Sequence, residues 1–307
     1  MNIEKILNII FLTALPFIFI GVINKVRAFW AGRQGPPLFQ LYYDFLKLLK
    51  KGRVIGAGTS FIFDISPSVT FASVFFAGML VPMANHISVI SFEGDFILFI
   101  YILAAGKYFS VIAAMDTGSS FEGMGASREV TFTSFTDPAL IIIIASLVFI
   151  SGSYSFENIF NLLDASHGLN NFVILLSAIT IFIVILVEGC RVPVDDPNTH
   201  LELTMIHEVM ILDNSGPDLA LILYGSAMKL VIFGALIANL IIPSDLNIYF
   251  YTLSFFGILF LLAVFIGCIE SLIARLRMSH VPQFIFFAIT ISLFMSLIVV
   301  AFRGGNY

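Results

Sequence analysis

Long apolar runs recur along this chain, near 3–25, 67–88, 95–115, 138–153, 171–188, 219–242, 248–268 and 283–302. Most are long enough to cross roughly 30 Å of hydrocarbon as a helix, and the shorter 138–153 run contains no charge. In lipid every backbone N–H and C=O must find its partner inside the protein, so helices are the natural form for such runs. Nothing alternates with the short period of a transmembrane β-barrel. Composition closes the other route: 59% of the residues are hydrophobic and only 11% charged, too few to clothe a water-soluble core. The expected class is all-α. It is a single polytopic membrane domain over 1–307, with about eight spans and amphipathic helices between them. The first run is too long for a cleavable signal, lacks a small-residue cleavage site, and carries more positive charge behind it than before it.

The 15 Lys and Arg residues set a direction. Seven (Lys25, Arg27, Arg33, Lys47, Lys50, Lys51 and Arg53) fall at or in the first connection, and Arg128, Arg191, Arg275 and Arg277 fall in the third, fifth and seventh. The even connections have none. The positive-inside rule then puts segments near 26–66, 116–137, 188–218 and 269–282 in the cytoplasm. Both termini are expected outside the inner (plasma) membrane. A net charge of −5 gives no reason to expect nucleic acid, and Cys190 and Cys268 form no C-x-x-C pair.

The fifth connection breaks the pattern, since cytoplasmic loops of membrane proteins tend to be basic. Between Glu188 and Gly216 it holds six acids, two histidines and one Arg. Asp196 followed by Pro197 predicts an N-cap and a helix over about 197–212. On that helix His200, Thr204, His207 and Glu208 share one stripe, and Glu202 lies opposite among Met205, Ile206 and Val209. A carboxylate among apolar side chains is disfavoured in its charged form and can exchange a proton near neutral pH, or it can pair with Arg191. His207-Glu208 lacks the second histidine of H-E-x-x-H, so no metal site is expected and the histidines read as solvent-facing or capping. No catalytic nucleophile–base pair is present.

Lys107 and Lys229 lie midway through apolar runs, where a charge is costly unless it faces a polar interior. Such lysines relay protons or pair with acids. In the first connection Pro36 and Pro37 open a helix and Gly52 closes it. Its apolar positions fall at helical spacing, with Asp44 and three lysines on the other face, suiting an interfacial helix toward anionic lipid or a partner's docking helix. The third connection, 116–137, reads as a turn-rich loop holding Asp116, Glu122, Arg128 and Glu129.

Four segments taken together carry a resemblance: Gly32-RQGPP with the following DFLKLLKKG, Asp116-TGSSFEGMGASRE, Glu188 to Gly216, and Glu270-SLIARLRMSHVPQF. In this order the chain resembles the subunit 1 superfamily of NADH dehydrogenase, most closely its energy-converting hydrogenase branch. The resemblance covers nearly the whole chain. It implies a membrane anchor with no redox centre of its own. A [NiFe] hydrogenase large subunit and an iron–sulfur small subunit would dock on it, the NiFe centre and [4Fe–4S] clusters being theirs. Antiporter-like membrane subunits would move protons or sodium.

The resemblance further implies that Glu188, Arg191, Asp195 and Glu202 fall on the family's E-x-x-R-x-P-x-D…E pattern. Glu188, Asp195 and Glu202, with Asp116, Glu122, Glu129, Glu208, Asp213, Lys107 and Lys229, are the expected proton path. Arg33, Asp44, Arg128, Arg191, Arg275 and Arg277 are expected to serve docking or structure. The sequence departs at Asp213-Asn214, where the family has Glu-Tyr. A quinone-site subunit of a related dehydrogenase and a stand-alone transporter are the alternatives. Against the transporter, no internal repeat of the kind transporters show is present.

Overall fold

A computed structural model describes residues 3–56, 58–84, 87–163, 168–195 and 205–304. Among them every regular element is helical, and eight helices are long and apolar enough to cross a membrane. They are α1 (Ile3–Trp30), α3 (Phe61–Leu80), α4 (Asp95–Asp116), α5 (Ser120–Ser151), α7 (Gly168–Glu188), α9 (Pro217–Ile241), α10 (Ile248–Leu272) and α11 (Val281–Gly304). Three short helices join them: α2 (Gln40–Leu49), α6 (Phe156–Leu162) and α8 (His207–Met210).

Helix α9 is the centre of the bundle. It packs against α1, α2, α3, α7 and α10, and its apolar window is 78% buried against 22–50% for the other spans. Pro217 at its first turn and Gly216 before it supply the fixed and permissive backbone that a helix start uses. The outer helices keep many large apolar side chains exposed, such as Phe260, Leu261 and Phe287, as lipid requires.

The odd connections meet at one end of the bundle. Arg53 pairs there with Asp64 and Asp218. Ser215 Oγ accepts from Val54 N (2.9 Å) and lies 3.2 Å from Val54 O, and Ser60 N donates to Asp116 (2.7 Å). Leu276 N donates to Pro193 O (2.9 Å). At the other end Asn8 donates to Ile87 O, Asn239 to Pro82 O (2.8 Å), and the buried Asp95 accepts from Ser155 Oγ and Phe156 N.

The expected surface helix is present as α2. It docks through Tyr42 and Phe45, whose rings lie 5.4 and 6.0 Å from Phe17 of α1, with Phe45 also 5.1 Å from Tyr224 of α9. Three expectations are corrected. The third connection is a loop only over 117–119, because α5 already begins at Ser120 and runs unbroken through Pro138 to Ser151. Glycine and hydroxyl residues suggested turns, but these hydroxyls bond back into the helix: Thr131 to Ser127 O (2.7 Å), Thr133 to Glu129 O (2.8 Å) and Thr136 to Phe132 O (2.8 Å). Second, the span expected at 67–88 lies at Phe61–Leu80. Ser60 caps Ile62 N (3.2 Å), Pro67 is tolerated inside the helix, and Val81-Pro82 ends it. Third, the helix expected over 197–212 is a single turn, His207–Met210, within the described part; residues 196–204 lie outside it.

Candidate functional site

Helix α7 stops short. Gly189 presses against α9, where a Cβ would come within 3.0 Å of Leu230 Cγ, besides lying 2.7 Å from Ile185 O of α7. The chain turns there through Cys190 at φ 51° and continues irregularly, buried from Arg191 to Asp195. Irregular backbone inside a bundle needs protein cover, and this segment has it. Residues 189–195 are therefore folded inward beside Lys229, twelve residues along α9, roughly 18 Å from that helix's start at a 1.5 Å rise.

The inward fold sets up a cluster of charges. Glu188 closes α7 with 3% of its side chain exposed. Its Oε1 lies 2.6 Å from Lys107 Nζ of α4, and its Oε2 lies 3.4 Å from Lys229 Nζ of α9. Lys107 also donates to Asp137 of α5 (2.7 Å). Both intramembrane lysines thus face one carboxylate, each with 13% of its side chain exposed. Glu129, roughly two turns earlier on α5, lines the small cavity shared with Lys107 and Lys229 and a second one shared with Glu188 and Asp195.

Asp195 continues the series. Its Oδ1 pairs with Arg275 at 3.0 Å, and its Oδ2 accepts from Ile206 N (3.1 Å) and His207 N (3.3 Å). Arg128 donates to Met205 O (2.7 Å), fixing the far side of the same segment to α5. Helix α5 also comes very close to α8 at Gly125, where a Cβ would meet Val209 and lie 2.8 Å from Met210 Cγ. That approach explains why a glycine sits in the middle of a helix. Arg191 pairs with Glu270 (3.2 Å), and Glu270 pairs in turn with Arg27 of α1 (3.3 Å).

His207, expected to face solvent or to cap, has its Nε2 buried, with no hydrogen-bond partner among the described residues. Burial, with Lys229 nearby, lowers its pKa from 6.5 to about 4, so the ring is neutral at physiological pH. Burial, reinforced by Glu129, likewise pushes the Cys190 thiol well above its ordinary range.

The remaining expected residues divide. Glu122 is buried, with Oε1 accepting from Asp213 N (2.9 Å) and Oε2 without a hydrogen-bond partner among the described residues. Asp116 accepts from Ser60 N, and Glu208 lines a cavity with Arg191 and His207. The Asp213 side chain is exposed, so the structure does not bring it into the cluster. Arg33 and Arg277 are exposed, and Asp44 accepts from Gln40 Nε2 (2.9 Å) on α2. Glu202, with His200 and Thr204, lies outside the described residues. Asp137 and Glu270 belong to the network and were not singled out as site residues. Asp137 stood at the edge of what read as a loop, and Glu270 is an acid within a long apolar helix, a signal that could have found it. Among the described residues no three His, Cys, Asp or Glu side chains converge as a metal site.

A family model described as NADH dehydrogenase matches residues 3–301. The chain belongs to the NADH dehydrogenase family. Within it, the sequence is 32% identical to hydrogenase-4 component C of Escherichia coli (strain K12), over 76% of this chain and 73% of that protein. It is 24% identical to formate hydrogenlyase subunit 4 of the same organism, over 86% and 87%. To an NADH-quinone oxidoreductase subunit of Ruegeria sp. (strain TM1040) it is 26% identical, over 73% and 71%. The fold is shared with a chain of the membrane-bound sulfane sulfur reductase (MBS), an archaeal respiratory membrane complex. There the TM-score is 0.81 at 23% identity, covering 96% of this chain and 98% of that one.

Proposed function

We propose that this family member is the membrane anchor and coupling subunit of a hydrogenase-type complex. It docks a [NiFe] large subunit and an iron–sulfur small subunit and passes the energy of their electron transfer to ion movement. The likeness to hydrogenase-4 component C and formate hydrogenlyase subunit 4 supports the complex. The single observation that carries the coupling role is Glu188, a carboxylate shared by two intramembrane lysines from different helices. A group held between two cations and flanked by Glu129 and Asp195 changes its proton affinity when the local field changes. Electron arrival in a docked arm is such a change. The NiFe centre and [4Fe–4S] clusters would belong to the partners, and this chain would contribute no redox step of its own.

In this reading the odd connections face the cytoplasm of the inner membrane and the termini lie outside, following the Lys and Arg bias. The joined loops at that end, with exposed Arg33 and Arg277 at their edge, form the docking face. Antiporter-like subunits would take the ion onward. Proton or sodium, and the electron donor, are set by those partners.

The test is isolation in mild detergent followed by vesicle assays. The chain should co-purify with a [NiFe] large subunit, and Glu188→Gln should lower ions moved per hydrogen formed by about tenfold or more. Purification without a redox arm, or an unchanged ratio in that variant, rejects the proposal.

A second reading is a quinone-site subunit. It is favoured by the likeness to the quinone oxidoreductase chain and by an apolar cavity of about 610 Å³ between α1, α2 and Tyr224. Quinone-depleted membranes that still evolve hydrogen would decide against it.

A further inference from the structure

Two separate cavities share one described residue, His207. The first, of about 180 Å³, is walled by Asn24, Leu41, Cys190, Arg191, Glu208 and Ser226. The second, of about 20 Å³, sits among Lys107, Glu129 and Lys229. The larger one has room and polar partners for several waters, and the smaller is about the size that holds one. Between them stands an imidazole whose buried Nε2 has no hydrogen-bond partner among the described residues. A buried polar atom left unsatisfied in a native fold calls for an explanation. The other side chains bridging these spaces are Cys190 and Glu129, through a cavity of about 10 Å³ walled partly by Phe132 and Val194.

We propose that His207 relays protons between the Arg191–Glu208 cavity and the Lys107–Glu188–Lys229 cluster, with Nε2 as the atom where the proton is handed across. A neutral imidazole suits this task, because it accepts a proton on one ring nitrogen while releasing one from the other. The transfer leaves the opposite tautomer, which a turn of the ring or return of the proton resets, so no charge accumulates. Burial beside Lys229 keeps the ring neutral between transfers. The charged groups facing it are Lys229 and Glu188 from α9 and α7, Glu129 and Lys107 across the smaller cavity, and Arg191 and Glu208 across the larger. This inference rests on the coupling role proposed above and names the residue through which the cluster is reached.

The test uses the whole complex in inverted native membrane vesicles, with reduced methyl viologen driving hydrogen evolution. The readout is ions taken up per hydrogen formed. His207→Ala and His207→Gln should each lower that ratio by about tenfold or more. Added imidazole should restore it in the alanine variant, whose vacated space adjoins the larger cavity. Thiazole, similar in shape but without an N–H, should not. An unchanged ratio in both variants, or equal rescue by thiazole, overturns the relay and leaves His207 a space-filling residue. Glu188→Gln is run alongside. If it abolishes coupling while His207→Ala does not, only the relay falls; if it too leaves the ratio unchanged, the coupling role itself has failed.

Discussion

Lys107 Nζ and Glu188 Oε1 lie 2.6 Å apart, although 81 residues separate them in the chain. The contact ties the middle of α4 to the end of α7 and brings α5 in through Asp137. Charges this far from water are stable only together, since attraction must offset the cost of removing each from solvent.

Removing Lys107 should therefore cost more than it exposes. Lys107→Met leaves Asp137 and half of Glu188 uncompensated and should destabilise by about 3–5 kcal/mol. The double variant Lys107→Met with Glu188→Gln should lose less than the sum of the two single changes. Unfolding in mixed detergent micelles measures all three, and strict additivity would mean that the pair does not interact.

Glu270 holds two guanidinium groups, Arg191 at 3.2 Å and Arg27 at 3.3 Å, with its side chain fully buried. Glu270→Ala sets two cations against each other and should destabilise by about 3–5 kcal/mol, with Glu270→Gln milder. The only tryptophan, Trp30, ends α1 three residues beyond Arg27. Its emission should shift in the alanine variant, and an unchanged spectrum with unchanged stability would show the bracket to be dispensable.

At Gly125 any side chain meets α8. Gly125→Val should overpack the contact with Val209 and Met210 and cost about 1–3 kcal/mol. Hydrogen exchange should quicken over 205–211 first; a variant as protected as the parent would mean that α8 has room to move away.

His207 gives a pH signature. Its folded pKa of about 4 lies below the ordinary 6.5, so between those values the unfolded chain binds the proton and the folded chain does not. Stability should be flat above that window and fall as pH drops through it, by up to about 3 kcal/mol. His207→Gln should flatten the slope between neutral pH and about pH 5. A wild-type slope retained in that variant would assign it to another group.

The spans were legible because lipid imposes a length on apolar runs, and six of the eight lie close to where those runs lie in the sequence. The pairing of Lys107 and Lys229 with an acid was one of two readings the sequence left open, beside a proton relay, and the structure places both lysines on Glu188. The identity of that acid was not legible. Glu188 is reached from two helices, and only the inward turn at Gly189 and Cys190 brings it to both. The start of α5 was missed for a related reason. Gly123, Gly125 and Ser127 read locally as turn residues, whereas the helix is fixed by packing of Gly125 on Val209 and by hydroxyls bonded to their own backbone. His207 read as polar surface because burial depends on how 205–211 folds back, which spacing does not encode.

Helix α9 carries Asp218 at one end, Tyr224 and Lys229 along it, and Asn239 at the other, 21 residues or roughly 32 Å away. Each is fastened to a different neighbour: Asp218 to Arg53, Tyr224 to Thr13 O at 2.6 Å, Lys229 to Glu188, and Asn239 to Pro82 O. The helix is thus an axle with four bearings. A rotation that lengthens Lys229–Glu188 must also twist the grip on Arg53 near one membrane face and on Pro82 near the other, so proton affinity in the interior and the shape of both faces turn on the same shaft.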